Sequence, residues 1–188
     1  EAQEKYLNII LSETDRLTNL TSNLLELNSF NGDNVLLDIT TFNICETIVQ
    51  TVNTLEGTAA KKEISFVLDY NTQKELLVEA DESKIHQVLY NLIDNAVKFS
   101  HNNSEIKISL RKKGAKVFVS VKDSGIGIPK ESLNKVFDRF YKTDISRGKD
   151  KRGTGLGLSI SKEIIQAHNQ TINVVSTVDV GTEFVFTL

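Results

Sequence analysis

Two apolar runs of period two constrain this chain more than any other feature. Ile106, Ile108 and Leu110 recur at every second position, and so do Val117, Val119 and Val121. Lys112-Lys113-Gly114 lies between them and reads as a hairpin turn. A period of two puts an apolar face on each arm, so the pair needs a second layer to bury it. Helices for that layer are present. Asn43 can cap a helix from Ile44 to about Lys61, with Ile44, Ile48, Val52, Leu55 and Ala59 on one face. Asp81 can cap a second helix through about Phe99, and a third runs from about Leu156 to His168. Further strands are expected at Val35–Asp38, over Ile64, Phe66 and Leu68, at Leu76–Glu79, and as a final pair, Ile172–Ser176 and Glu183–Leu188, around Gly181. Residues 35–188 are therefore expected to be α+β, a two-layer α/β sandwich. Its sheet is mixed, mostly antiparallel, with helices on one face.

Residues 1–29 read differently. Leu7, Ile10, Leu17 and Leu24 fall on a heptad, with Thr14 and Thr21 in the alternate seam positions. Leu11, Leu20, Leu25 and Leu27 widen the stripe, which suits a multi-helix bundle better than a two-stranded coil. The first third of the chain offers this helix no companion, so it is expected to pack on another chain or on residues outside this one. The alternative is that it packs on its own domain. The break at Ser29–Asn34, with Gly32, sets the boundary between a helical unit, 1–30, and the body, 35–188.

Composition narrows the function classes. The 188 residues carry 22 Lys+Arg against 25 Asp+Glu, a formal net charge of −3 that argues against a dedicated nucleic-acid binder. Cys45 is the one cysteine, so there is no disulfide within the chain, and no Cys/His cluster suggests zinc. Cytosolic exposure fits best. No apolar run is long enough to span a membrane. The chain begins at Glu1 and contains no methionine, so it is expected to be a piece of a longer protein.

Six of the ten glycines fall between Gly125 and Gly157, in a stretch that includes the polar run Thr143–Arg152. Common nucleotide motifs are absent. The one Gly-Lys, Gly148-Lys149, is followed by Asp150, which excludes a P-loop. Gly125 and Gly127 lack the third glycine of Gly-x-Gly-x-x-Gly, and there is no His-Arg-Asp.

Four other segments carry chemistry. In Asn91–Ser100, Asn91, Asn95 and Lys98 share a helix face. Two amides and an ammonium can hold a hydrated magnesium and a polyphosphate, or can be a solvated polar face. In Asp123-Ser124-Gly125-Ile126-Gly127, a carboxylate at a strand end can accept from an adenine amino group, although Asp-x-Gly-x-Gly also makes ordinary turns. In Val136–Lys142, read as a loop-side helix, Phe137 and Phe140 are expected to anchor to the core and Lys142 to reach a phosphate. Gly153-Thr154-Gly155-Leu156-Gly157 opens a helix, whose exposed N–H groups and dipole suit an anion; the same glycines also suit a hinge.

In this order the four segments resemble the N, G1, F and G2 boxes of the catalytic domain of sensor histidine kinases, within the gyrase-like (GHKL) ATPase superfamily with the Bergerat fold. The resemblance covers residues 35–188, and residues 1–29 resemble the second helix of the dimerisation and phosphoacceptor hairpin. It implies ATP and Mg²⁺ as cofactors. Asn95 would be the magnesium ligand, assisted by Asn91. Lys98 and Lys142 would contact phosphates, and Asp123 would read adenine. Gly125, Gly127 and Thr182 would shape the adenine pocket. Gly153, Thr154, Gly155, Leu156 and Gly157 would line the phosphates, with Thr143–Arg152 as the ATP lid.

It also implies a homodimer through the helical hairpin, a response-regulator receiver domain as partner, no nucleic acid, and a cytoplasmic domain of a membrane-anchored parent. Two departures stand out. His168-Asn169-Gln170 replaces the family's frequent His-Gly-Gly, a structural turn. The phosphoacceptor pattern, His followed five residues later by Pro, is missing, because Pro129 is the one proline and position 124 is Ser. The accepting histidine would lie on a preceding helix. Two other readings stay open: an inactive nucleotide-sensing or dimerisation module, and a serine kinase of the anti-sigma-factor type.

Overall fold

The structure is a computed structural model that describes residues 2–30, 36–70, 75–143 and 153–188. Its elements are α1 (Ala2–Ser29), β1 (Thr40–Asn43), α2 (Ile44–Ala60), β2 (Ser65–Asp69), β3 (Leu77–Ala80), α3 (Glu82–Phe99), β4 (Glu105–Lys113), β5 (Lys116–Lys122), α4 (Lys130–Leu133), α5 (Gly157–Ala167), β6 (Ile172–Thr177) and β7 (Gly181–Thr187). Residues 144–152, most of the expected lid, lie outside the described residues, as does Val35.

The alternating runs form β4 and β5, joined by the two residues Gly114 and Ala115. They are the centre of a five-stranded sheet of order β2-β4-β5-β7-β6, parallel between β2 and β4 and antiparallel elsewhere. Register stacks Leu68, Ile108, Val121, Phe184 and Val174 in one row, and Leu110, Val119, Phe186 and Ile172 in the next. Ile106, Ile108, Val119 and Phe186 are fully buried there. The other face carries Lys107, Lys122 and Glu183 in one row, as a solvated sheet face requires. Helices α2, α3 and α5 contribute Ile48, Leu89, Leu92 and Ile160 to the same core.

Both expected caps form. The Asn43 side chain accepts from Cys45 N–H, and Asp81 Oδ1 accepts from Lys84 N–H at 3.1 Å. Asp81 does more. Its Oδ2 accepts from Asp38 N–H, Oδ1 accepts from Ser83 Oγ, and its own N–H donates to His168 Nε2. Burial alone would raise this carboxyl; the hydrogen bonds from Lys84, Ser83 and Asp38 outweigh it and hold it below the usual carboxylate range. After His168, Asn169 adopts φ +57°, a left-handed turn that Asn tolerates in place of glycine.

Three expectations need correction. No strand forms over Leu36–Asp38; the strand is Thr40–Asn43, antiparallel to β3, where Phe42 opposite Val78 is buried, whereas Leu36 is almost fully exposed. The helix near the third segment ends at Leu133, and residues 134–140 are turns. Helix α1 divides between the two packing alternatives. Its last turns dock on the body: Leu27 is fully buried, and Glu26 accepts from Lys84 Nζ and Gln87 Nε2, each at 2.6 Å. Its seam residues Leu7, Ile10 and Leu17 stay 59–60% exposed. No described helix is long and apolar enough to cross a membrane.

Because Asp81 joins three segments, Asp81→Ala should lower stability by about 1–2 kcal/mol in urea denaturation at neutral pH, with Asp81→Asn losing less. The lowered pKa makes the wild-type advantage one that is present at neutral pH and lost in acid, as the carboxylate protonates.

Candidate functional site

Helix α3 serves two layers at once. Ile85, Val88, Leu89, Leu92, Ile93, Ala96 and Val97 are buried. The remaining face brings Asn91, Asp94, Asn95 and Lys98 to the wall of a cavity of about 220 Å³. Asn91 Nδ2 donates to Gly157 O at 3.1 Å, which ties α3 to the start of α5 and leaves Oδ1 as an acceptor. Lys98 Nζ pairs with Asp94 Oδ2 at 2.7 Å.

Asp123 follows β5 directly and continues its pairing to β7. Its N–H donates to Thr182 O, and its Oδ1 accepts from Gly125 N–H at 2.9 Å and Thr182 N–H at 3.2 Å. Both side-chain bonds use Oδ1, so Oδ2 retains acceptor capacity at a residue that lines the cavity. Asp123 is only 6% exposed. Burial pushes its pKa up to about 6, against the two backbone N–H bonds and the nearby His101.

The loop after Asp123 is held too tightly for side chains at two glycines. A Cβ on Gly125 would lie 2.3 Å from Phe99 O. Gly127 has φ +68°, and a Cβ there would lie 2.1 Å from Thr177 O. Gly127 and Thr182 are on the cavity wall; Gly125 is behind it, packed on α3.

The third and fourth segments meet through backbone. Phe140 N–H donates to Gly155 O at 3.0 Å. Phe137 packs edge-on to Phe184 with centroids 6.1 Å apart, as expected of an anchor. Phe140 does not anchor: the residue is 56% exposed, with a left-handed φ of +63° at the position whose N–H bonds Gly155 O. Lys142, Gly153, Thr154, Gly155 and Gly157 line the cavity. Leu156 does not; it is fully buried at the N-cap of α5, where Thr154 Oγ1 accepts its N–H at 3.3 Å. No side chain of Leu156 caps α5, so the first-turn N–H groups are available for an anion.

The cavity includes residues that sequence reasoning missed. Phe99, Ile126, Ile128, Val136, Tyr141 and Phe184 line it, and their apolar character or segment membership could have flagged them. Asn23, from α1, has no such signal, since only the docking of α1 brings it there. Among the described residues no three His, Cys, Asp or Glu side chains gather as a metal cage. Carboxamide oxygens on Asn91 and Asn95 fit a cation that keeps most of its waters and takes its remaining ligands from phosphate.

Residues 80–188 match the family described as histidine kinase-, DNA gyrase B-, and HSP90-like ATPase. The sensor histidine kinase WalK of Bacillus subtilis is 36% identical over 186 residues, covering 98% of this chain and 30% of the relative. The chain thus spans about a third of the length of that curated relative. The catalytic domain of histidine kinase ThkA in a nucleotide-free form superposes with a TM-score of 0.71 at 35% identity, covering 81% of this chain and 95% of that one. Histidine kinase ThkA in complex with the response regulator protein TrrA matches with a TM-score of 0.79 at 34% identity, over 100% of this chain and 51% of that one. The chain belongs to the histidine kinase-, DNA gyrase B- and HSP90-like ATPase family, and carries its ATP-binding catalytic domain in the histidine kinase form.

Proposed function

We propose that this cavity binds Mg-ATP and presents its γ-phosphate to a histidine on a helical hairpin, for relay to a response regulator. One observation carries the reading: a buried carboxylate, the two carboxamides of α3, two lysines and an uncapped helix N-terminus share one cavity wall. Asp123 accepts from the adenine amino group. Lys98, Lys142 and the Gly153–Gly157 turn face the phosphates. Asn95, assisted by Asn91, holds Mg²⁺, which when bound neutralises phosphate charge. Such chemistry asks a protein mainly for positioning and electrostatic complementarity.

Residues 1–30 are the second helix of the dimerisation and phosphoacceptor hairpin, and 35–188 are the catalytic domain. The exposed seam of α1 supports a homodimeric bundle. The names of the relatives support a two-component partner, the receiver domain of a response regulator. The catalytic part is cytoplasmic and its parent a membrane-anchored sensor. Asn91 is an amide and cannot act as a general base, which favours transfer over hydrolysis.

The Asp123 assignment separates stability from binding. Its folded pKa is raised to about 6 from an ordinary 3.8, so its ionisation costs stability progressively as the pH rises from about 4 to 6, and in full above that. Asp123→Asn should stabilise the protein at pH 7, by up to about 3 kcal/mol, and the gain should fade as the pH falls through 6 toward 4. The same substitution should weaken ATP binding about 10- to 100-fold by calorimetry. Wild-type affinity should itself decline below about pH 6, as the acceptor is protonated. A variant that binds ATP as well as wild type would remove adenine from Asp123.

The transfer assignment is tested by product. Supplied with the upstream hairpin from its own parent, the chain should form an acid-labile phosphohistidine from ATP while releasing little phosphate alone. An acid-stable phosphoserine would instead indicate a serine kinase.

A further inference from the structure

We infer that Lys62 is a positioning residue for nucleotide binding: its ammonium caps the C-terminus of α3 and thereby seats the loop that carries Asp123. The inference rests on the reading that the cavity binds ATP. A helix leaves its last four carbonyls without partners inside the helix. In α3 these are Ala96, Val97, Lys98 and Phe99. The C-cap is Ser100, in an extended conformation (φ −60°, ψ 152°), so no left-handed closure turns later N–H groups back onto them. Ser100 N–H reaches Ala96 O, but the buried Ser100 Oγ has no hydrogen-bond partner among the described residues. Lys62 Nζ supplies what is missing. It donates to Val97 O at 2.8 Å, Lys98 O at 2.7 Å and Ser100 O at 3.4 Å. A cation at this end also complements the helix dipole.

Phe99 O is then left for another element. It accepts Ile126 N–H at 3.2 Å and lies only 2.3 Å from where a Cβ of Gly125 would be. Ser100 and Gly125 form the one isolated bridge among the described residues. Gly125 N–H in turn fixes Asp123 Oδ1. The path from Lys62 to the buried carboxylate is thus continuous: ammonium, helix-end carbonyls, Phe99 carbonyl, Gly125–Ile126 backbone, Asp123. Lys62 is itself held, because its N–H bonds Ala59 O and its carbonyl accepts Asn103 N–H at 2.9 Å. It is not among the residues lining the cavity, so it acts through the loop and not by touching nucleotide.

The test is calorimetric titration of ATP and ADP into the chain and its Lys62→Met and Lys62→Arg variants, with amide NMR of Gly125 and Ile126. Lys62→Met should weaken ATP and ADP alike by about tenfold, since the loss is at the base and not at the γ-phosphate. It should also shift the Ile126 amide resonance. Lys62→Arg, which can donate to the same carbonyls, should restore most of both. Asp81→Ala, which destabilises the opposite end of α3, should leave affinity within about twofold. A folded Lys62→Met with unchanged affinities and an unmoved Ile126 amide overturns the proposal, as does an Arg variant as weak as Met. If Lys62→Met does not fold, Lys62→Gln decides by the same two readouts: weaker binding with a shifted Ile126 supports the role, and wild-type values overturn it. Absence of ATP binding by the unsubstituted chain overturns the nucleotide reading first, and this role with it.

Discussion

The buried carboxylate of Asp123 is the constraint on which the site depends. Ionised, it is costly at 6% exposure, and burial raises its pKa to about 6. It is kept at the end of β5 because its surroundings are fixed by the sheet. Thr182 lies on β7, which pairs with β5; its carbonyl accepts Asp123 N–H in continuation of that pairing, and its own N–H donates to Oδ1. The loop supplies the second donor, Gly125 N–H. Close packing of that loop on Phe99 O explains why position 125 has no side chain. A site at a strand end, with its acceptor held by backbone, loses little entropy when a ligand arrives.

Helix α3 connects this constraint to the rest of the cavity. Its core face and its site face follow from one periodicity, so whatever fixes the core register also fixes Asn91, Asn95 and Lys98. The bond from Asn91 to Gly157 O extends this to α5, whose start lines the same cavity. The two helix ends that matter are opposite in kind. At the C-terminus of α3 Lys62 takes two of the last four carbonyls, and Ser100 and Ile126 N–H groups take the other two, while the N-terminus of α5 has no side-chain cap.

Much of this was legible in the sequence where the signal is local. The β4–β5 pair, the caps Asn43 and Asp81, and the helical spacing of Asn91, Asn95 and Lys98 depend on near neighbours, and the structure has them. Thr40–Asn43 was missed because a four-residue strand with one buried apolar side chain has no period of its own; its partner β3 defines it. Asn23 and Glu26 carry no local signal, and their place is set by tertiary docking of α1 on the body. Leu156, inside a glycine-rich motif, looked like a phosphate neighbour. Its apolar side chain instead goes to the core and anchors the start of α5.

Phe140 shows why the third segment could not be assigned from residue type alone. Its ring is exposed, and what the position contributes is a left-handed backbone whose N–H meets Gly155 O. That bond joins two segments separated by residues 144–152, so positions 140 and 155 are neighbours although fifteen residues apart. Lys142 and Gly153 then enter the cavity wall from the two sides of the same junction. Phe137, three residues earlier, takes the role of anchor by its contact with Phe184 on β7. Since β7 also carries Thr182, the strand that donates to Asp123 is the strand that supports the third segment. Asp123 and the Gly153–Gly157 turn are therefore both referred to one strand and one helix, β7 and α3.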